Sequence, residues 1–170
     1  MPKLYSGREV INNFKKAGFW FVSQKGSHIK LRGIRNGKLH YPPMVEIDPT
    51  SRCNASCPWC FYRNDDHGDI DIDKSSMLSA IVNMAYMGVG AINWTGGGEP
   101  TLHPDLNEFI EKAHRYGFRQ GIFTNAISVD HAIASPGKLS WIRVSITNGY
   151  LNSLNKNLVR EYAEKTRVGI

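Results

Sequence analysis

From residue 44 onward the sequence alternates between short strand patterns and amphipathic helix patterns, and this alternation limits the fold more than any other feature. Strand-type segments cover residues 44–48, 89–95, 119–125, 141–147 and 167–170. Apolar residues recur at helical spacing in the stretches between them, at 74–87, 104–116 and 151–162. Strands separated by helices make right-handed crossovers, so that the strands lie parallel. The pattern predicts an α/β fold with about five parallel strands, which is an open sheet or part of a closed barrel.

The first forty residues differ from the rest in charge and predict a separate module. They contain nine Lys or Arg residues and one acidic residue, whereas residues 41–170 contain twelve basic and fourteen acidic residues. A capping box at Ser6 and Glu9 opens a helix, strand patterns follow over 19–23 and 28–32, and Asn36-Gly37 predicts a hairpin turn. Pro42-Pro43 marks the boundary. We therefore expect a basic α-β-β module over residues 1–40 and a second domain over 41–170. The basic charge favours RNA as a partner, or else forms an ordinary solvated face.

Hydropathy gives no indication of a membrane protein. No apolar run approaches the roughly 20 residues that span a bilayer, and the N-terminus has no apolar signal-peptide segment. We expect a cytoplasmic protein that does not bind membranes, in which clustered cysteines indicate a metal or redox site rather than disulfides.

All three cysteines lie in one eight-residue window directly after the first strand of the second domain. Cys53, Cys57 and Cys60 are spaced by four and three residues. Thiolates are the usual ligands of iron–sulfur clusters, and three of them leave one iron of a four-iron cluster without a protein ligand. Two alternatives are a zinc site completed by His67 and a set of free buried thiols.

A glycine run follows the next strand. Gly96, Gly97 and Gly98 precede Glu99 and Pro100. Glycine lets the backbone approach a ligand closely, and the carboxylate of Glu99 suits an ammonium group. Because ligands of parallel α/β folds bind at the carboxyl ends of the strands, the cysteine window and the glycine run are expected to lie side by side.

Together these motifs resemble those of the radical S-adenosylmethionine (radical SAM) enzymes. Cys53, Cys57, Trp59 and Cys60 match the hallmark Cys-x3-Cys-x-aromatic-Cys of that family, and 97–100 match its Gly-Gly-Glu-Pro segment. The resemblance covers about residues 41–170 and implies a partial (β/α) TIM-type barrel. It also implies a [4Fe–4S] cluster, S-adenosylmethionine, and an electron donor such as a flavodoxin or ferredoxin. The expected reaction is reductive cleavage to a 5′-deoxyadenosyl radical, which takes hydrogen from a substrate that the sequence does not identify.

The resemblance assigns roles to individual residues as well. It places Trp59 near the adenine, and the 96–99 backbone with the Glu99 side chain near the amino group of S-adenosylmethionine. Asn125 and Ser145, at the ends of the third and fourth strands, become contacts to its ribose or carboxylate; ordinary strand-end polar residues are the alternative.

Residues 6–33 resemble the opening of HicA-type mRNA interferase toxins, which have a small double-stranded-RNA-binding-like fold. The shared features are the Gly-Arg-Glu-Val-Ile and Gly26-Ser27-His28 segments. The resemblance implies that His28 is catalytic in RNA cleavage, and a histidine beside lysines suits proton transfer next to a phosphate. The alternative function is therefore an RNA-binding or RNA-cleaving toxin module joined to an inactive radical SAM fragment.

Overall fold

The structure is a computed structural model, and it divides into two compact units, residues 1–42 and 43–170. It describes residues 12, 16, 19–25, 28–35, 38–39, 42–60, 62, 69–127, 132–146 and 154–169. None of the helices in this part of the chain is long and apolar enough to cross a membrane.

The N-terminal unit contains a small antiparallel sheet. Its strands are β1 (Phe19–Lys25), β2 (His28–Arg35) and β3 (Lys38–Leu39), in the order β1-β2-β3. Arg35 pairs with Lys38, the register of a two-residue hairpin across the predicted Asn36-Gly37 turn. The short third strand extends the predicted α-β-β pattern. Of the predicted helix only positions 12 and 16 are described, and both are helical.

The C-terminal unit is a five-stranded parallel sheet whose strands lie side by side in chain order, which confirms the predicted fold class. The strands are β4 (Met44–Ile47), β5 (Ala91–Trp94), β6 (Arg119–Thr124), β7 (Trp141–Val144) and β8 (Val168–Gly169). The helices are α1 (Lys74–Tyr86), α2 (Leu106–Arg115) and α3 (Lys156–Lys165). Short 3-10 turns at Pro100–Leu102 and Pro136–Lys138 complete the connections.

The hydrophobic core lies between the helices and one face of the sheet. The face of α2 that carries Leu106, Phe109, Ile110 and Ala113 is buried, as the helical spacing predicts. Gln120 is a buried polar residue in this core. Its side chain accepts a hydrogen bond from Trp94 Nε1 at 2.9 Å and donates one to the Ile110 carbonyl at 3.0 Å. Both polar ends are therefore satisfied, and the side chain ties β6 to β5 and α2.

The structure refines the predicted starts of two helices, α1 and α3. The sequence leaves Asp71 and Asp73 as alternative caps of α1, and the structure selects Asp73, whose carboxylate accepts from Ser76 N. The third helix begins at 156 rather than 151 because Asn155 is its N-cap and accepts from Leu158 N. Gly88 and Gly117 end the preceding helices with φ values of +84° and +80°, which glycine adopts without steric cost.

The N-cap of α1 should make the stability of the folded protein depend on pH. Hydrogen bonds from Ser75 and Ser76 lower the pKa of Asp73 from 3.8 to about 2. The unfolded chain therefore binds this proton more readily, so the stabilisation is complete above the ordinary pKa and is lost as the pH falls towards 2. We expect Asp73→Ala to lower Tm at about pH 7 by about 2–4 °C, and less at about pH 3. Asp69→Ala is the matched control, and a Tm loss equal at both pH values contradicts the prediction.

Candidate functional site

The cysteine loop follows β4 and is fixed at its start by the segment that precedes α1. Thr50 forms a β-bridge with Asp71, and Ser51 N donates to the Ile70 carbonyl at 2.9 Å. The guanidinium of Arg52 donates to both carboxylate oxygens of Asp71, at 3.1 and 2.7 Å, and to the Leu102 carbonyl at 2.8 Å. The residue directly before Cys53 is therefore held by a bidentate ion pair, which fixes planar geometry as well as charge.

The ion pair with Arg52 also affects the pKa of Asp71. Burial tends to raise the pKa of Asp71, but hydrogen bonds from Thr50 and Arg52 and the charge of Arg52 keep it below the ordinary value. Asp71 therefore stays ionised and keeps its hold on Arg52 throughout the neutral range.

The three thiols line one cavity of about 310 Å³ at the carboxyl end of the sheet. Cys60 N donates to the Cys57 carbonyl at 3.1 Å, and this turn places both cysteines at the cavity. Cys57 is half-buried, and Cys53 and Cys60 are exposed. The remaining wall comes from Ala55 and the ends of β5, β6 and β7: Thr95, Gly96, Gly98, Glu99, Pro100, Phe123, Thr124, Asn125, Ile127 and Ser145.

The cavity raises the proton affinity of the Cys53 thiol. Cys53 is exposed as a residue, but its thiol is partly enclosed by the cavity, and this partial burial raises its pKa. A hydrogen bond from the Ala55 backbone opposes the rise, and the charges of Glu99, Cys57 and Cys60 add to it. The thiolate form of Cys53 is therefore disfavoured until a cation neutralises the site, and a coordinated metal deprotonates a thiol outright.

The glycine run packs directly against the cysteine loop, as the two motifs predict. A Cβ at Gly98 would lie 2.2 Å from the Arg52 carbonyl oxygen, so no larger residue fits there without moving the backbone. Glu99 N donates to the same oxygen at 2.8 Å. The backbone of residues 98 and 99 therefore positions the main chain beside Cys53.

The carboxylate of Glu99 is buried, with only 3% of the residue exposed, and has more structural partners than the sequence indicates. Its Oε1 accepts from the backbone N and Oγ1 of Thr101, at 3.2 and 2.7 Å, and from Thr124 Oγ1 at 2.7 Å. Its Oε2 accepts from Asn125 N at 2.7 Å. Glu99 therefore joins the glycine run to the end of β6, and only Oε2 keeps capacity for a further donor.

The side chain of Asn125 also has partners within the protein. Its Nδ2 donates to Asn54 Oδ1 at 2.7 Å, and its Oδ1 accepts from Ile127 N at 3.1 Å. Asn54 lies between the first two cysteines, so this bond ties the cysteine loop to the end of β6. Ser145 faces the same cavity and is exposed, and its backbone N donates to the Thr124 carbonyl at 2.8 Å.

Not every residue singled out from the sequence lies at the cavity. Trp59 is 62% exposed and is not part of the described wall. Gly97 faces the other side of its loop, where an added Cβ would contact the Tyr62 ring at 3.8 Å. His28 belongs to the N-terminal unit, and His67 lies outside the described residues.

Three supporting residues were missed in the sequence analysis. Thr101 and Thr124 orient Glu99, and Asn54 holds the cysteine loop. Thr124 lies 25 residues from Glu99 and Asn54 lies 71 residues from Asn125, and spacing along the chain carries no signal for such pairs. Thr101 is only two residues from Glu99, but no motif in the sequence analysis pointed to it.

The three thiols suit an iron–sulfur cluster better than a site for a single metal ion. Among the described residues, no three His, Cys, Asp or Glu side chains lie close enough together to hold a single metal ion. In a cluster each thiolate ligates a different iron, so the sulfurs need only face one cavity, as these do. The residues therefore fit a cluster with three thiolate ligands and one iron free of protein ligands.

Comparison with protein families identifies the C-terminal unit. Residues 47–168 match the model of the radical SAM superfamily. The chain is similar to an S-adenosylmethionine-dependent nucleotide dehydratase of Selenomonas ruminantium, at 37% identity over 48% of this chain and 29% of that protein. It is also similar to one of Flammeovirga pacifica, at 31% identity over 69% and 42%. The chain thus spans less than half the length of these relatives.

Solved structures share the fold at low identity. Streptococcus suis SuiB bound to S-adenosylmethionine aligns with a TM-score of 0.57 and 21% identity, over 76% of this chain and 34% of that one. BtrN in complex with AdoMet and 2-DOIA aligns with a TM-score of 0.54 and 17% identity, over 74% and 55%.

Proposed function

Because the chain belongs to the radical SAM superfamily, we propose that residues 43–170 bind a [4Fe–4S] cluster through Cys53, Cys57 and Cys60, with S-adenosylmethionine beside it. The observation that carries the proposal is the shared cavity, in which three thiols face the glycine run and the ends of β6 and β7. When bound and reduced, the cluster supplies homolytic cleavage of S-adenosylmethionine and hence a 5′-deoxyadenosyl radical for hydrogen abstraction. The electron comes from a donor such as a flavodoxin or ferredoxin.

The chain's own residues orient the two groups. The backbone of Gly96 and Gly98 and the free capacity of Glu99 Oε2 suit the amino group of S-adenosylmethionine. Ser145, which is exposed and lines the same cavity, suits the ribose or carboxylate. Asn125 contributes through the position it gives the cysteine loop, because its amide already bonds Asn54 and Ile127. A contact between Trp59 and the adenine stays a prediction, as does a cytoplasmic location.

Anaerobic reconstitution with iron and sulfide tests the proposal. We expect a brown protein that contains about four irons per chain and absorbs at about 400 nm. A colourless protein that binds one zinc ion contradicts it.

A second candidate concerns the N-terminal unit alone. The excess of basic residues there and the position of His28 at the start of β2, in an antiparallel sheet, favour RNA binding or cleavage by a HicA-like module. We expect any such RNA cleavage to persist in Cys57→Ala and to be lost in His28→Ala, measured on a labelled RNA. Cleavage that survives His28→Ala contradicts the assignment.

A further inference from the structure

The sheet face opposite the helices does not have the residue composition of a packed hydrophobic core. Side chains alternate between the two faces of a strand. In β4–β7 the branched aliphatic residues share the helix-packed face: Val45, Ile47, Ile92, Ile122, Ile142 and Val144. The opposite face carries Met44, Glu46, Ala91, Asn93, Arg119, Gly121, Phe123, Trp141 and Arg143. Because packed barrel interiors consist mainly of Val, Ile and Leu, this mixture of aromatic, polar and charged residues suits a surface that holds a ligand rather than a packed interior.

A tryptophan forms a flat surface on this face. Trp141 is paired with Gly121 across β6 and β7, and a Cβ at Gly121 would lie 2.1 Å from the six-membered part of the indole ring. The ring therefore lies across the β6 backbone. Phe123 packs against it edge to face, with ring centroids 5.2 Å apart. Trp141 is only half-buried and also lines the adjoining cavities, so part of the ring remains available for stacking.

Two arginines flank the aromatic pair. Arg143 and Arg167 line a cavity of about 380 Å³ together with Phe123 and Trp141. The guanidinium of Arg143 lies 5.9 Å from the Phe123 ring centroid. Neither arginine forms an ion pair with any residue that the structure describes. Phe123 also lines the cysteine cavity, so the two cavities share a wall.

We propose that this surface, made of Phe123, Trp141, Arg143 and Arg167, binds the substrate and that the substrate is a phosphorylated nucleotide. Arginine recognises phosphate by paired, charge-assisted hydrogen bonds, and an exposed indole stacks on a base. The inference rests on the proposed function, because the shared wall would place the nucleotide next to the site where the radical forms. A peptide without an anionic group would leave both arginines without a counter-ion.

Calorimetric titration of the full chain with GTP, guanosine and tripolyphosphate tests the proposal. We expect saturable GTP binding that is at least about tenfold tighter than that of either fragment. Arg143→Gln should weaken GTP and tripolyphosphate about tenfold and leave guanosine unchanged. Trp141→Leu and Gly121→Ala should weaken GTP and guanosine about tenfold and leave tripolyphosphate unchanged. Arg160→Gln, on the exposed side of α3, is the matched control and should change none of the three.

Several outcomes overturn the inference. These are no saturable GTP binding, an equal loss in Arg160→Gln, or saturable binding of an unphosphorylated peptide in place of GTP. Iron content measured on the same samples separates the two proposals. Normal cluster content without GTP binding contradicts the nucleotide site alone, whereas GTP binding to a protein that assembles no cluster contradicts the proposed function.

Discussion

Replacing Cys57 with alanine is expected to abolish cluster assembly in the reconstituted protein. Cys57 is the half-buried member of the three thiols, and its carbonyl accepts the bond that turns the chain towards Cys60. Its loss leaves two thiolates for a four-iron cluster. The carboxylate of Glu99 lines the same cavity, but it already accepts hydrogen bonds from Thr101, Thr124 and the Asn125 backbone. We expect iron to fall from about four per chain to a small fraction of one, with loss of the absorbance at about 400 nm.

Two controls show whether the loss of the cluster in Cys57→Ala is due to the missing thiol. Pro58→Ala changes the neighbouring residue of the same exposed turn without removing a thiol, and it should retain the cluster. Circular dichroism of the Cys57→Ala protein should match the parent, because this side chain is not part of the hydrophobic core. A Cys57→Ala protein with normal iron and sulfide would show that the cluster is held elsewhere.

Glu99→Gln is expected to cause a large loss of stability. The carboxylate accepts four hydrogen bonds in a site where the residue is 3% exposed. An amide places an NH2 group against either the Thr101 and Thr124 donors or the Asn125 backbone N–H. One buried donor then faces another, and we expect a cost of about 2–4 kcal/mol in the free energy of unfolding.

Urea denaturation of the unreconstituted protein measures this cost apart from any cofactor. Glu164→Gln, on the exposed surface of α3, is the control and should change stability by less than about 0.5 kcal/mol. Glu99→Gln should also lose iron to a chelator faster once reconstituted, because Glu99 N and its carboxylate connect the cysteine loop to β6. If Glu99→Gln is as stable as the parent, the carboxylate does not hold the loop and its role is confined to the ligand.

The sequence predicts the sheet well because its signals are local. The strand and helix periodicities and the glycines that end helices at 88 and 117 all follow from short segments. The side-by-side placement of the cysteine and glycine loops follows as well, since parallel strands end at one edge.

The hydrogen bonds that hold the site together could not be predicted in the same way. Glu99 was expected near the amino group of a ligand, and its carboxylate also accepts hydrogen bonds from Thr124 and Asn125 at the end of β6 and from the neighbouring Thr101. Asn125 was expected either as a contact to the cofactor or as an ordinary strand-end polar residue. It lines the cavity, and its amide bonds Asn54. Both depend on contacts made when distant loops pack together, and no periodicity or spacing in one chain encodes them.

The central claim is that the three thiols leave one iron open to S-adenosylmethionine, and electron paramagnetic resonance tests it most directly. The reconstituted chain is reduced, and spectra are recorded with and without S-adenosylmethionine. We expect the signal of a reduced [4Fe–4S] cluster whose g-values shift when the ligand is added, and no such signal in Cys57→Ala. A cluster signal that S-adenosylmethionine leaves unchanged, or the same signal in Cys57→Ala, would contradict the account.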